Sequence, residues 1–360
     1  MSDPIEPRRH VLSGRAARSN RVGRFEANSR EHFDDGWEIV EDRQQVRTEV
    51  LTERPRRVIT RNTSPDVGFD RSINPYRGCE HGCIYCFARP SHAFLGLSPG
   101  LDFETKLIAR PDAPMILERE LRAKSYRPAV IAIGSNTDPY QPIEREHQVM
   151  RRILEVLRDY RHPVAVVTKG TLIERDIDIL GEMARDGLAR VGISVTTLDA
   201  RVSRAMEPRV PSPERRLRTI RALSEAGVPV RVMVSPVVPA LTDHELEAIL
   251  ERAAEAGASA ASYIMLRLPL EVSELFREWL REHFPERAQR VMGRVRELHG
   301  GKDYDPEWGK RMTGEGAFAE LIAHRFAIAT RRLGLARELS PLRTDLFRPP
   351  PRAGDQLSLF

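Results

Sequence analysis

Cys79, Cys83 and Cys86 are the only cysteines in this chain, and they fall within eight residues of one another. They stand in the run Asn74-Pro75-Tyr76-Arg77-Gly78-Cys79-Glu80-His81-Gly82-Cys83-Ile84-Tyr85-Cys86-Phe87, with the spacing C-x3-C-x2-C. Soft thiolates suit zinc and iron–sulfur clusters. Three of them on one short loop can grip three corners of a cubane cluster and leave its fourth iron open. A structural zinc site normally has four ligands, so zinc would need His81 or His92 as the fourth. Gly78 and Gly82 let the backbone wrap closely around a bulky group. An odd number of closely spaced cysteines does not make a disulfide framework. It suits a reducing compartment in which cysteines are kept for metal.

Such a loop must be held by a scaffold, and the sequence predicts one. β-Branched runs recur at Ala129–Ile133, Val164–Thr168, Val191–Thr196, Val228–Val234 and Ser262–Leu266. Between them lie stretches of helical period: Ile143–Tyr160, Leu172–Asp186, Pro213–Glu225 and Asp243–Ala256. Gly187, Gly227 and Gly257 sit where helices would be capped. With the cysteine segment as the first unit, about six βα units result, and this alternation predicts a parallel sheet with helices outside. The reading is α/β: a partial (β/α)6 TIM-like barrel with a helical C-terminal extension and flexible tails. Ligand groups in such a fold gather at the C-terminal ends of strands. Polar residues do follow each run: Gly134-Ser135-Asn136-Thr137-Asp138-Pro139-Tyr140, Thr168-Lys169-Gly170, Ser194 with Thr196-Thr197, Ser235-Pro236 and Arg267.

The domain reading is a basic, partly disordered extension over 1–60, a core over 65–300, a helical extension over 301–340 and a flexible tail over 341–360. The first 24 residues carry six arginines against Asp3 and Glu6, with little apolar content to order them. Either a solvated tail or a nucleic-acid-binding arm fits. Of 57 basic residues only five are lysines, and arginine suits bidentate phosphate contacts, so nucleic acid is a candidate partner. Fifty-two acidic residues nearly balance that charge, which fits arginine-rich composition without such a partner. No run of about 18 apolar residues occurs, and the N-terminus lacks the apolar stretch of a signal peptide. A cytoplasmic location and no membrane are expected.

The cysteine spacing, with Tyr85 just before the third cysteine, resembles the signature of the radical S-adenosylmethionine superfamily over roughly residues 65–300. Within it the chain is most similar to the spore photoproduct lyase-like group of presumed DNA repair proteins. The supporting residues are Tyr85-Cys86-Phe87, the run at 134–144, Thr168-Lys169, Glu207-Pro208-Arg209 and Arg215-Arg216-Leu217. The resemblance implies a [4Fe–4S] cluster on Cys79, Cys83 and Cys86. Its open iron would bind the amino and carboxylate groups of S-adenosylmethionine, and one electron would break the S–C5′ bond. The resulting 5′-deoxyadenosyl radical would take a hydrogen atom from the substrate, here a DNA lesion. The electron would come from a low-potential donor such as flavodoxin or ferredoxin. The resemblance places Lys169 and Ser194 on the amino-acid part of S-adenosylmethionine, with Tyr85, Ser135, Thr137, Asp138 and Arg209 as further cofactor contacts. Asp138 is alternatively a helix cap, and Arg209 a surface salt bridge.

Spore photoproduct lyase uses a further cysteine as hydrogen donor. This chain has none left, so Tyr140 and Tyr263 are the candidate donors. Gln356-Leu357-Ser358-Leu359-Phe360 resembles the bacterial sliding-clamp-binding peptide, which makes the DNA polymerase sliding clamp a candidate partner. Thr344-Asp345-Leu346-Phe347 is a looser form of the same pattern. The alternatives are the same radical chemistry on RNA, a protein or a small molecule, and a non-catalytic metal-binding module.

Overall fold

The five β-branched runs and the segment before the cysteines become six strands: β1 (Arg71–Ile73), β2 (Ile131–Ile133), β3 (Val164–Thr168), β4 (Ala189–Ser194), β5 (Val230–Val237) and β6 (Ala260–Met265). The computed structural model describes residues 14–26 and 47–351. The six strands lie side by side in chain order and are all parallel. A two-residue strand, Thr60–Arg61, pairs antiparallel with the free side of β1. Among the described residues β6 has no strand partner beyond β5, so the sheet is a curved, open form of the expected partial barrel. β5 runs three residues past its expected bound of 234, to Val237, which puts Ser235 and Pro236 within the strand.

Helices cover the convex face. They are α1 (Ala113–Leu121), α2 (Val149–Asp159), α3 (Ile177–Arg185), α4 (Pro213–Glu225) and α5 (Leu246–Glu255). α2 shows why they pack there: Val149, Met150, Ile153, Leu154 and Leu157 recur at helical spacing and are all buried. Gly187, Gly227 and Gly257 take φ of 69°, 78° and 96°, as helix-ending glycines do. The stretch expected as one helix over 143–160 is interrupted at Gln148, with φ of 48°. The buried Glu144 carboxylate explains the break, since it accepts from the backbone N–H of Met150 (3.0 Å) and caps the new helix.

The extension beyond the sheet contains α6 (Glu271–His283), α7 (Pro285–Leu298) and α8 (Ala317–Leu333). Between α7 and α8 an irregular segment closes the open sheet edge. Met265 N–H donates to the Met312 carbonyl (2.8 Å), and Gly309 N–H donates to Asp66 (2.7 Å), ahead of β1.

The described part of each tail is docked on the core. In 14–26, Arg18 pairs with Glu282 (3.0 Å), Arg24 with Glu271 (2.7 Å), and Arg21 with Glu274 and Glu278. The acidic side of α6 occupies these arginines, which leaves this part of the extension unsuited to be a nucleic-acid arm. At the other end, residues 341–351 are docked and not a free tail. Arg343 N–H donates to the Gly187 carbonyl and Arg348 N–H to that of Tyr160, both at 3.0 Å. Phe347 packs against Tyr126, Tyr160 and His162, and this apolar contact holds the segment. Residues 356–360 lie outside the described residues. No helix among the described residues is long and apolar enough to cross a membrane.

Candidate active site

The cysteine loop leaves the end of β1 and is held on every side. Its flank Tyr76–Arg77 pairs with the strand Lys106–Ala109, which also pairs with Glu49–Thr52. Cys79 N–H donates to the Phe103 carbonyl (2.9 Å) and Ile84 N–H to that of Met206 (3.0 Å). Arg89, fully buried, donates to the carbonyls of Cys83 (2.9 Å), Gly82 (2.9 Å), Pro99 (3.1 Å) and Gly100 (3.0 Å), and pairs with Glu104 at 2.5 Å. Glu104 also accepts from the N–H groups of Ala16 and Ala17, which ties the N-terminal segment to the loop. Gln141 spans the loop, accepting from Glu80 N–H (2.8 Å) and donating to the Gly78 carbonyl (3.2 Å). Gly82 has φ of 67°, and a Cβ there would lie 2.7 Å from the Glu104 carboxylate. Only glycine fits that approach.

The three cysteines are free, with Cys79 and Cys83 buried and Cys86 half-buried. Burial pushes the Cys79 thiol up, and Asp138 and the other two cysteines add to the effect. Burial likewise raises Cys83. The thiols thus lie within electrostatic reach of one another. Among the described residues, no three His, Cys, Asp or Glu are placed to hold a single metal ion. His92 Nε2 is engaged by the Lys106 carbonyl (2.9 Å), and His81 Nδ1 stands 3.3 Å from Asp138. Three soft thiols on one loop suit the iron corners of a multi-iron cluster.

The other wall of the site is the strand-end rim. Asp138 accepts from Thr168 Oγ1 (2.5 Å), the N–H groups of Lys169 (2.7 Å) and Tyr140 (2.9 Å), and faces His81. Burial alone would raise its carboxyl. His81 and these donors hold it down at about 2. Its carboxylate therefore ties β3 to the cysteine loop. The Lys169 ammonium stands 5.7 Å from the Tyr85 ring centroid. Burial would lower its pKa, yet Cys83, Glu207 and Asp138 raise it, so it stays charged. It has no carboxylate partner within ion-pair distance among the described residues. Tyr85 donates its hydroxyl to Glu207, which also accepts from Thr196 (3.1 Å) and pairs with Arg216 at 2.7 Å. Arg216 reaches on to the Ser194 carbonyl (2.9 Å).

The structure therefore brings Tyr85, Asp138, Lys169 and Ser194 to one rim beside the cysteines. The Ser194 hydroxyl donates to the Ser235 carbonyl (3.0 Å). Thr137 is turned away, donating to the Tyr76 carbonyl (2.9 Å), while Ser135 lies half-buried on the same loop. Arg209 pairs with Glu80 at 3.1 Å, the salt-bridge alternative. The two donor candidates point elsewhere. Tyr140 is buried and donates to Asp176 (3.1 Å), and Tyr263 stacks on Phe326 of α8 under the helix layer. Arg89 and Glu104 carry no sequence signal, because isolated charged residues read as surface, while Gln141, Glu207 and Arg216 stand in the motifs of the resemblance without a role that the sequence assigns.

A fold that gathers ligand groups at one rim, with three cysteines in its first loop, defines a cluster-bearing α/β enzyme. The chain belongs to the Radical SAM superfamily, which it matches over residues 73–253. It is therefore an enzyme that works with a [4Fe–4S] cluster and S-adenosylmethionine. It is 36% identical over 261 residues to the uncharacterized protein Rv2578c of Mycobacterium tuberculosis, covering 72% of this chain and 76% of that one. It is 27% identical to the uncharacterized protein MJ0683 of Methanocaldococcus jannaschii, over 59% of this chain and 76% of that one. Among solved structures, a spore photoproduct lyase complexed with dinucleoside spore photoproduct superposes with a TM-score of 0.56. It shares 14% identity over 80% of this chain and 81% of that one. That likeness is one of fold.

Proposed function

We propose that Cys79, Cys83 and Cys86 hold the cluster and that Lys169 and Ser194 hold the amino-acid part of S-adenosylmethionine. When bound, the cluster supplies the electron that opens the S–C5′ bond and starts radical chemistry on the substrate. The observation that carries the reading is the Lys169 ammonium, held 5.7 Å from the Tyr85 ring centroid with no ion-pair partner among the described residues. A carboxylate is its natural complement. Arg89 and Glu104 keep the loop in one shape, and the Glu207–Arg216 pair fixes Tyr85 as a wall of the site.

The proposed substrate is a nucleic acid carrying a lesion. Two observations support it besides the likeness of fold. Phe87, next to Cys86, is 46% exposed. The Arg267 guanidinium, from the end of β6, lies 4.6 Å over its ring. An exposed aromatic with an arginine beside it suits a splayed base and its phosphate. Recruitment to the sliding clamp through 356–360 and electron supply by a flavodoxin or ferredoxin complete the proposal. With no cysteine left as hydrogen donor and neither tyrosine aimed at the site, the reaction differs in its last step from one that uses such a cysteine.

Damaged DNA deuterated at the lesion tests the substrate. Deuterium should enter 5′-deoxyadenosine, and no transfer with any lesion would direct the search to RNA, protein or small molecules. Deleting 356–360 should abolish binding to a bacterial sliding clamp, and equal binding by the shortened chain would reject that part.

A further inference from the structure

The concave face of the sheet is built unlike the convex one. On β3, β4 and β5 the helix-facing residues are buried, as are Ala261 and Met265 on β6, whereas Val167, Arg190, Arg231, Met233, Ser262 and Ile264 are only half-buried. These share one face. A Cβ on Gly192 would meet the side chains of Met233 (2.8 Å) and Val167 (3.4 Å), and strand alternation places Arg190 and Arg231 with them. The concave side is thus less deeply buried than the helix-facing side.

At its lower end stand two arginines on adjacent strands. Arg231 lies opposite Gly192 and Ala260, and Arg190 opposite Ala165, so only small residues flank them. Arg231 donates to the Arg337 carbonyl (2.9 Å), and its buried Nε has no partner. Arg190 makes no hydrogen bond or ion pair among the described residues. The Ser262 hydroxyl, two residues up the wall of β6, is buried and unpartnered as well. Burial lowers both guanidinium pKa values, Arg190 lowers Arg231 further, and only the exposed Glu338 offsets this. Fully buried arginines elsewhere meet a different fate: Arg89 has Glu104 and Arg216 has Glu207. Two adjacent half-buried cations with no ion-pair partner among the described residues leave charge for a ligand to answer.

We propose that Arg190 and Arg231, with Ser262, form a phosphate-binding site at the lower end of the concave face. Each arginine lies four residues below the rim residue of its strand, Ser194 or Ser235, or about 13 Å at 3.3 Å per residue. A substrate with its reacting carbon at the rim would place a phosphate there. The site itself stands without the radical chemistry.

The test uses the full chain and direct binding of inorganic phosphate, thymidine and thymidine 5′-monophosphate at constant ionic strength. Phosphate-bearing probes should bind and thymidine should not. Arg190→Gln should weaken them at least tenfold, and Arg190→Lys should restore most of the loss. Arg190 is the clean position because it makes no bond that folding needs, and Arg231→Gln should give the same loss if the C-terminal segment stays docked. Inorganic phosphate binding as well as the nucleotide identifies a free-anion site, and preference for the nucleotide identifies the phosphate end of a substrate. Unchanged affinity in Arg190→Gln, or no binding by the wild-type chain, overturns the proposal. S-adenosylmethionine binding, measured in the same samples, should be unchanged in every variant, which separates this failure from failure of the rim assignment.

Discussion

The cysteine loop and the concave face treat buried charge in opposite ways. Around the loop every charge is answered: Arg89 by Glu104 and four carbonyls, Arg216 by Glu207, Asp138 by His81, Thr168 and Lys169 N–H. On the concave face and at its rim, Lys169, Arg190 and Arg267 have no carboxylate partner among the described residues. Full compensation makes one shape, which a cluster loop needs. Missing compensation leaves room for a ligand's charge. The difference separates residues that build the site from residues that wait for what enters it.

Breaking a compensated pair should have the largest effect. Arg216→Met strands the buried Glu207 carboxylate and should cost about 3–5 kcal/mol of folding stability. Urea unfolding checks it, and a loss below about 1 kcal/mol would mean the pair is not a structural necessity.

An intermediate effect belongs to His162, on the convex side beside Phe347. Burial holds its pKa at about 4, against about 6.5 unfolded. Below pH 6.5 the unfolded chain takes up a proton that the folded one refuses. Stability should therefore fall as pH drops from about 6.5 to about 4, by up to about 3 kcal/mol, and be flat above. His162→Gln should remove that slope, and an unchanged slope would assign it to other groups.

The smallest effect on stability should come from the uncompensated side. Lys169→Met should leave stability within about 0.5 kcal/mol, because no partner is stranded. It should weaken S-adenosylmethionine binding at least tenfold. A large stability loss with unchanged binding would place Lys169 among the builders.

This division also explains what the sequence could disclose. The cysteine spacing, the βα rhythm and the capping glycines 187, 227 and 257 are local patterns, and each was readable before the fold. Glu104 and Arg89 carry no such pattern, because their pairing exists only once the loop folds back on Leu101–Thr105. Docking of 341–351 was hidden for a related reason. Its prolines and isolated Leu346 and Phe347 read as a loose tail, and the aromatic pocket that takes Phe347 is assembled from three distant positions. The contact of the Asp138 carboxylate with His81 is likewise not local, since the two residues meet only across the folded site.

The most direct test of the central claim is anaerobic reduction of the reconstituted chain with S-adenosylmethionine. The account predicts about four irons and four sulfides per chain, with absorbance near 400 nm. It also predicts 5′-deoxyadenosine from the wild-type chain and none from Cys83→Ala. Zinc without sulfide, and no 5′-deoxyadenosine under strong reductant, would contradict it.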